Sequence, residues 1–124
     1  MPTKKKVTKE ESNLAVVKGF FNELLTKKDP AGVAAYLSDD FVSHNPEIPG
    51  KQGLMDFAAY TAKELPNANI IEVLLTFSHN DLVVQYYTFA DEPSKGVDRY
   101  ISDYFRIKDG LIVEYWDCIK EVGK

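Results

Sequence analysis

The sequence predicts an α+β fold, with helices first in the chain packed on one face of an antiparallel sheet that follows. Three observations carry this. Apolar residues recur at helical spacing only in the first half of the chain. After Pro66 the pattern changes to runs rich in β-branched and aromatic residues. Those runs are separated by short turn signals rather than by helix-length segments, which favours hairpins over parallel crossover units.

The elements follow in order. Thr8 with Glu11 matches a capping box, and Leu14, Val17, Phe21, Leu24 and Leu25 then line one helical face. Lys27 and Lys28 suit the negative end of that helix. Asp29-Pro30 restarts the chain as N-cap and first residue of a short second helix, "DPAGVAAYL". "DDFVSHNPEIPG" reads as an extended piece followed by a loop. A third helix is expected over about 51–65, stopped by Pro66. The segments "NIIEVLLTF", "DLVVQYYTFA", "VDRYISDYFRI" and "LIVEYWDCI" are the predicted strands. His79-Asn80 and Asp109-Gly110 mark hairpin turns, and "DEPSKG" a longer connection.

The totals narrow the function. With 124 residues the chain suits one domain, taken as residues 10–124 behind a basic tail at 1–9. Setting aside Lys4, Lys5, Lys6 and Lys9 leaves 11 basic residues against 19 acidic ones, a body that repels phosphate backbones. Nucleic acid is therefore not an expected partner. No run approaches the roughly 18 apolar residues of a membrane span, so no membrane partner is expected either. The single Cys118 rules out an internal disulfide and fits a reducing cytoplasm; its phase suggests a packing residue on the outer face. His44 and the turn residue His79, without paired cysteines or helical His spacing, give no metal site. No phosphate loop, dinucleotide fingerprint or nucleophile elbow appears, so no cofactor is expected. Aromatic residues at 12%, with seven Tyr and seven Phe, suggest a cavity wall or an apolar interface.

"DYFRIKDGLIVEYWD", residues 103–117, holds the chemistry. Because side chains alternate along a strand, the loop length decides which acids share a face. A bare Asp109-Gly110 loop sets Asp103 opposite Trp116 and turns Asp117 to the other side. A three-residue loop, Lys108 to Gly110, sets Asp103 opposite Tyr115 and Ile101 opposite Asp117. The longer loop is favoured, since it gathers Ile101, Phe105, Ile107, Leu111 and Val113 on one face and brings Arg106 near Glu114. Asp103 and Asp117 are then diagonal neighbours, their Cβ atoms roughly 7–8 Å apart. Two carboxylates on an apolar face are strongly disfavoured unless bonded or neutralised, and one of them is expected to titrate high. The alternative is a solvated rim, with Arg99, in phase with Asp103, neutralising one acid. Read alone, His44 in "SHNP" fits a surface or satisfied-core residue as well as a pocket one.

The succession "AVVKGFFNELLTKKDPAGVAAYLSDDFVSHNP", "KQGLMDF", "NDLVVQYYTF" and "DYFRIKDGLIVEYWD" resembles the SnoaL-like branch of the nuclear transport factor 2 superfamily, from about residue 13 to 120. The resemblance implies a curved antiparallel sheet wrapped around three helices, a cone with a deep pocket at its open end. It also implies a homodimer through the outer sheet face, where Trp116 and Tyr104 lie, and it places His44 in the pocket. Polyketide cyclases of the family use an acid at the position matching Asp117 as acid/base in an intramolecular aldol closure. At the position matching Asp103 they have a histidine, where this chain has Asp. Epoxide hydrolases of the fold use an Asp-Arg-Asp cluster that Arg99, Asp103 and Asp117 imitate, though the spacing from Arg99 to Asp103 departs from theirs.

The leading expectation is a cofactor-free acid/base enzyme acting on an apolar carbonyl compound. Asp117 takes the proton, Asp103 and His44 relay or orient, and Tyr115, Tyr60, Tyr87, Arg99 and Phe105 contact the substrate. The readings from other classes are a non-catalytic ligand-binding or dimerisation module, and a protein-protein adaptor.

Overall fold

A computed structural model describes residues 7–123; most of the basic tail, residues 1–6, lies outside the described residues. Helix α1 (Lys9–Phe21) opens where the capping box predicts, the Thr8 hydroxyl accepting from the Glu11 amide at 3.1 Å. Lys9 is therefore helical rather than part of a tail. The helix widens into a π-helical turn over Asn22–Lys27 and stops at Lys28, which adopts a left-handed φ of 52°. Asp29 caps the short α2 (Pro30–Ala34) by accepting from the Ala31 amide at 3.1 Å. Helix α3 runs Gly50–Glu64.

Five strands make one curved sheet: β1 (Leu37–Ser43), β2 (Asn69–His79), β3 (Leu82–Ala90), β4 (Arg99–Lys108) and β5 (Leu111–Glu121), in the order β1-β5-β4-β3-β2. Strands β2 to β5 form an antiparallel meander as expected. The edge strand β1 departs from the expectation of a purely antiparallel sheet. It runs parallel to β5, pairing Leu37 with Ile112 and Ser43 with Tyr115. The β2–β3 turn lies one residue later than predicted: His79 still pairs with Leu82, and Asn80 takes the left-handed φ of 55°.

The β4–β5 hairpin decides the site, and here the structure corrects the sequence reading. The loop is the two-residue Asp109-Gly110, both with positive φ (52° and 78°), as a type I′ turn requires. The register then shifts between Arg106 and Ile107, because Ile107 pairs with Ile112 while Arg106 pairs with Glu114, leaving Val113 as the extra residue of a bulge. This bulge sets Asp103 directly opposite Asp117, and Ile101 opposite Ile119. The two acids are thus direct cross-strand partners, where the longer loop had made them diagonal neighbours. Leu111 and Val113 also leave the inner face, and Ile112 and Tyr115 take their places in the core.

That core is built around aromatic rings. Phe20 and Phe21 of α1 meet Phe105 of β4 edge-on, each at 5.6 Å, and Phe105 meets Tyr115 at 5.5 Å. Such contacts add to simple area burial and fix ring orientation. Since Phe21 also packs edge-on against Tyr87 at 5.6 Å, α1 holds in place both tyrosines that later matter for the site, Tyr115 through Phe105.

Gly110 offers a clean test of the turn. Nothing lies within 4 Å of a Cβ built there, so only the left-handed backbone opposes a side chain. Gly110→Ala is expected to lower unfolding stability by about 1 kcal/mol in urea titrations, with an unchanged m-value.

Candidate functional site

A cavity of about 370 Å³ opens between the concave face of the sheet, the end of α1 and helix α3. Its walls are largely apolar, with Leu24 and Leu25 of the π-helical turn, Leu54 and Phe57 of α3, and Phe89, Ile101 and Ile119 of the sheet. At roughly 30 Å³ per liquid water it has room for about a dozen water molecules, the scale of a small organic ligand. Asp103, Asp117, Tyr87 and Tyr115 form one polar patch in this wall.

The patch is a continuous hydrogen-bonded chain. Asp103, only 3% exposed, accepts through Oδ2 from the Tyr87 hydroxyl. Its Oδ1 lies 3.1 Å from the Tyr115 hydroxyl, which itself lies 2.7 Å from Asp117 Oδ2. That same Oδ2 accepts from Asn45 Nδ2 at 2.8 Å. Each tyrosine has one proton to give. Tyr87 gives its proton to Asp103, and Tyr115 gives its own to the nearer oxygen, that of Asp117. The Asp103–Tyr115 contact is then complete only if Asp103 carries a proton and donates it.

The electrostatics agree. Burial pushes the Asp103 carboxyl up to about 7; the Tyr87 and Tyr115 hydrogen bonds oppose the rise, and the Asp117 charge adds to it. Desolvation, more than repulsion between the acids, is therefore the main cause. The Tyr115 phenol is pushed far above its ordinary value, first by burial and then by the charge of Asp103. Tyr87 is raised for the same two reasons. Both tyrosines stay protonated and act as donors.

The other candidates separate. Tyr60, 57% exposed, stands at the cavity mouth on α3. Arg99 also lines the cavity, but it binds Asp91 at 3.0 Å and Glu121 at 3.1 Å. It makes no ion pair with Asp103 or Asp117, so the Arg99, Asp103 and Asp117 trio is not assembled. Phe105 is fully buried beneath Tyr115, in the core rather than on the cavity surface. His44 is not in the cavity either. Its side chain, 42% exposed, stacks on Trp116 of the outer face at 4.8 Å, and Nε2 meets Glu114 at 2.7 Å. The reason is strand alternation: continuing β1 past Ser43, successive residues turn opposite ways, so His44 faces out and Asn45 faces in. Asn45 is the residue the sequence reading missed, and that same alternation was the available signal. Among the described residues, no three His, Cys, Asp or Glu side chains come together as metal ligands.

A curved sheet over three helices thus carries an acid pair in the apolar wall of a cavity. The chain belongs to the SnoaL-like domain family, whose model matches residues 17–115. Solved structures agree on the fold. A candidate polyketide cyclase from Bacillus cereus ATCC 10987 is 21% identical, with TM-score 0.73 over 89% of this chain and 75% of that one. A candidate ketosteroid isomerase from Kribbella flavida DSM 17836 is 17% identical, with TM-score 0.68 over 96% and 85%. An LEH-like epoxide hydrolase of M. tuberculosis is 16% identical, with TM-score 0.68 over 91% and 86%. No curated protein matches the chain.

Because Asp103 binds its proton more tightly folded than unfolded, the linkage has a definite sign. The folded state holds the extra proton between the ordinary carboxylate value, 3.8, and about 7, so this group makes stability fall as pH rises through that window. Asp103→Asn, neutral at all pH, is expected to remove that slope. Between pH 5 and pH 8 the parent should lose a few kcal/mol of stability that the variant keeps, as read from urea midpoints at the two pH values.

Proposed function

We propose that the chain is a cofactor-free acid/base enzyme that removes a proton next to the carbonyl of an apolar small molecule, as in an isomerisation or an intramolecular aldol closure. One observation carries this. Both hydrogen bonds to Asp117 converge on Oδ2, while Oδ1 accepts none from any described residue, although Asp117 lines the cavity. A carboxylate with one oxygen anchored and the other uncommitted has the arrangement a general base needs.

The chain of protons supplies the complementary acid. As Asp117 Oδ1 takes the substrate C–H proton, Oδ2 loses basicity and its hold on the Tyr115 hydroxyl weakens. Tyr115 then gives its proton to the substrate carbonyl oxygen and takes the Asp103 proton in return. Asp103 is left as a carboxylate that still accepts from Tyr87. The product of this half-reaction is a neutral enol, so no isolated enolate has to be stabilised. Its carbon can be reprotonated at another position by Asp117, or can attack a second carbonyl, whose oxygen then receives the proton from Asp117. The enol proton returns through Tyr115 to Asp103, and the enzyme is regenerated.

The apolar walls favour an uncharged ligand, since Arg99, the one cation of the lining among the described residues, is already held by two carboxylates. That pairing also speaks against epoxide opening by an Asp-Arg-Asp cluster. The same reading includes a homodimer through the outer sheet face, which carries Trp116 and Tyr104 and, two strands beyond Tyr104 on β2, the exposed Leu75 and Phe77, and a reducing cytoplasm for the exposed Cys118.

The test is deuterium exchange into a panel of apolar ketones in D₂O, followed by NMR. The enzyme reading expects exchange that declines above about pH 7 as Asp103 loses its proton. Asp117→Asn should lower the rate about 10²–10⁴-fold. Ketones that bind without exchange, with affinities equal in parent and Asp117→Asn, would favour the binding-module reading instead.

A further inference from the structure

We infer that Asn45 is a positioning residue that selects which oxygen of Asp117 faces the substrate. This rests on the acid/base reading of the pocket. The Asn45 amide has no freedom to rotate to the opposite arrangement. Its Oδ1 accepts from the Glu47 backbone amide at 2.9 Å, so its Nδ2 is the end left for Asp117. Its own backbone is fixed as well: the Asn45 amide donates to Ser43 Oγ at 3.2 Å, and its carbonyl accepts from the Ile48 amide at 3.0 Å.

The segment is in turn clamped to β5 on both sides of the sheet. On the backbone, His44 N donates to the Tyr115 carbonyl at 2.9 Å. Outside, the His44 ring lies parallel to Trp116 with an interplanar angle of 6° and bonds Glu114. Inside, Asn45 reaches Asp117. Four successive residues of β5, Glu114 to Asp117, are therefore gripped by the pair His44-Asn45. This gives the outward-facing histidine a role: it anchors the residue that aims the base.

The choice of an amide matters chemically. Tyr115 alone on Asp117 would leave the carboxylate free to turn about its Cβ–Cγ bond and present either oxygen. A second donor on the same Oδ2 removes that freedom. Unlike a hydroxyl or an acid, Asn45 cannot take the proton that Asp117 collects, so that proton stays available for the product. Asn45 is a donor that holds the base without competing in the transfer.

Asn45→Asp is the discriminating variant. It keeps the shape and the acceptor for the Glu47 amide, and it replaces the donor to Asp117 with a second carboxylate. Carbon-detected NMR on the ligand-free protein follows the Asp103, Tyr115 and Asp117 cluster from pH 4 to 9, so the result does not depend on any substrate. The expected outcome is that the cluster takes up its proton at a tenfold or more lower proton concentration than in the parent, while the Glu47 amide resonance stays in place. In the parent protein the Asn45 side-chain amide resonances should shift with the same titration, a readout that requires no variant. If those resonances are pH-invariant, or if Asn45→Asp leaves the cluster titration unmoved with the Glu47 amide intact, the inference is overturned while the acid/base reading stands. If deuterium exchange is absent from the parent but the cluster responds, Asn45 positions Asp117 in a pocket whose function is binding.

Discussion

The structure depends on one costly act, the burial of the Asp103 carboxyl in the middle of a sheet whose inner face is otherwise apolar. An ionised carboxylate there would lose far more in hydration than any neighbour returns. Two tyrosine hydroxyls and a retained proton resolve the conflict, and each requires something of the fold. The tyrosines must come from the strands on either side, Tyr87 from β3 and Tyr115 from β5. Their rings must be held, and Phe21 and Phe105 hold them. The helices are therefore more than cover for the sheet. They fix the orientation of the donors that make the buried acid tolerable.

The bulge at Val113 is the second requirement. Without it, a two-residue turn would place Trp116 opposite Asp103 and send Asp117 to the outer surface. One extra residue in β5 restores the alternation so that both acids face inward, directly paired. The same shift sends Trp116 outward, where it becomes the platform for His44. A single local irregularity thus assigns an inner role to Asp117 and an outer role to Trp116, and the parallel strand β1 brings Asn45 and His44 to meet them.

Much of this was legible in the residues. The capping pairs Thr8–Glu11 and Asp29-Pro30 locate the first two helices, because capping is a local interaction between near neighbours. Asp103 and Asp117 stood out as acids among core residues for a thermodynamic reason that holds whatever the register. What sequence could not settle was whatever depended on a distant partner. The loop length was inferred from face matching, and a bulge satisfies that criterion as well as a longer loop does. Arg99 shared a phase with Asp103, yet at the cavity mouth it found Asp91 and Glu121 nearer. His44 drew attention as the titratable residue of its segment, whereas the amide beside it reaches the site. Strand alternation through β1, carried past Ser43, separates the two.

Solved structures of this fold carry the names of a cyclase, an isomerase and an epoxide hydrolase, so the fold leaves the chemistry to the groups that line the wall. In this chain the wall links the carboxyls of Asp103 and Asp117 through the hydroxyl of a single tyrosine, Tyr115. The central claim is that Asp103 keeps its proton near neutrality because it is buried and coupled to Asp117. The most direct measurement is an NMR titration of the Asp103 carboxyl carbon, in the parent and in Asp117→Asn. A midpoint close to 7 that falls when Asp117 is neutralised is the result predicted. A midpoint near 4, the same in both proteins, would contradict it and place Asp103 among ordinary solvated carboxylates.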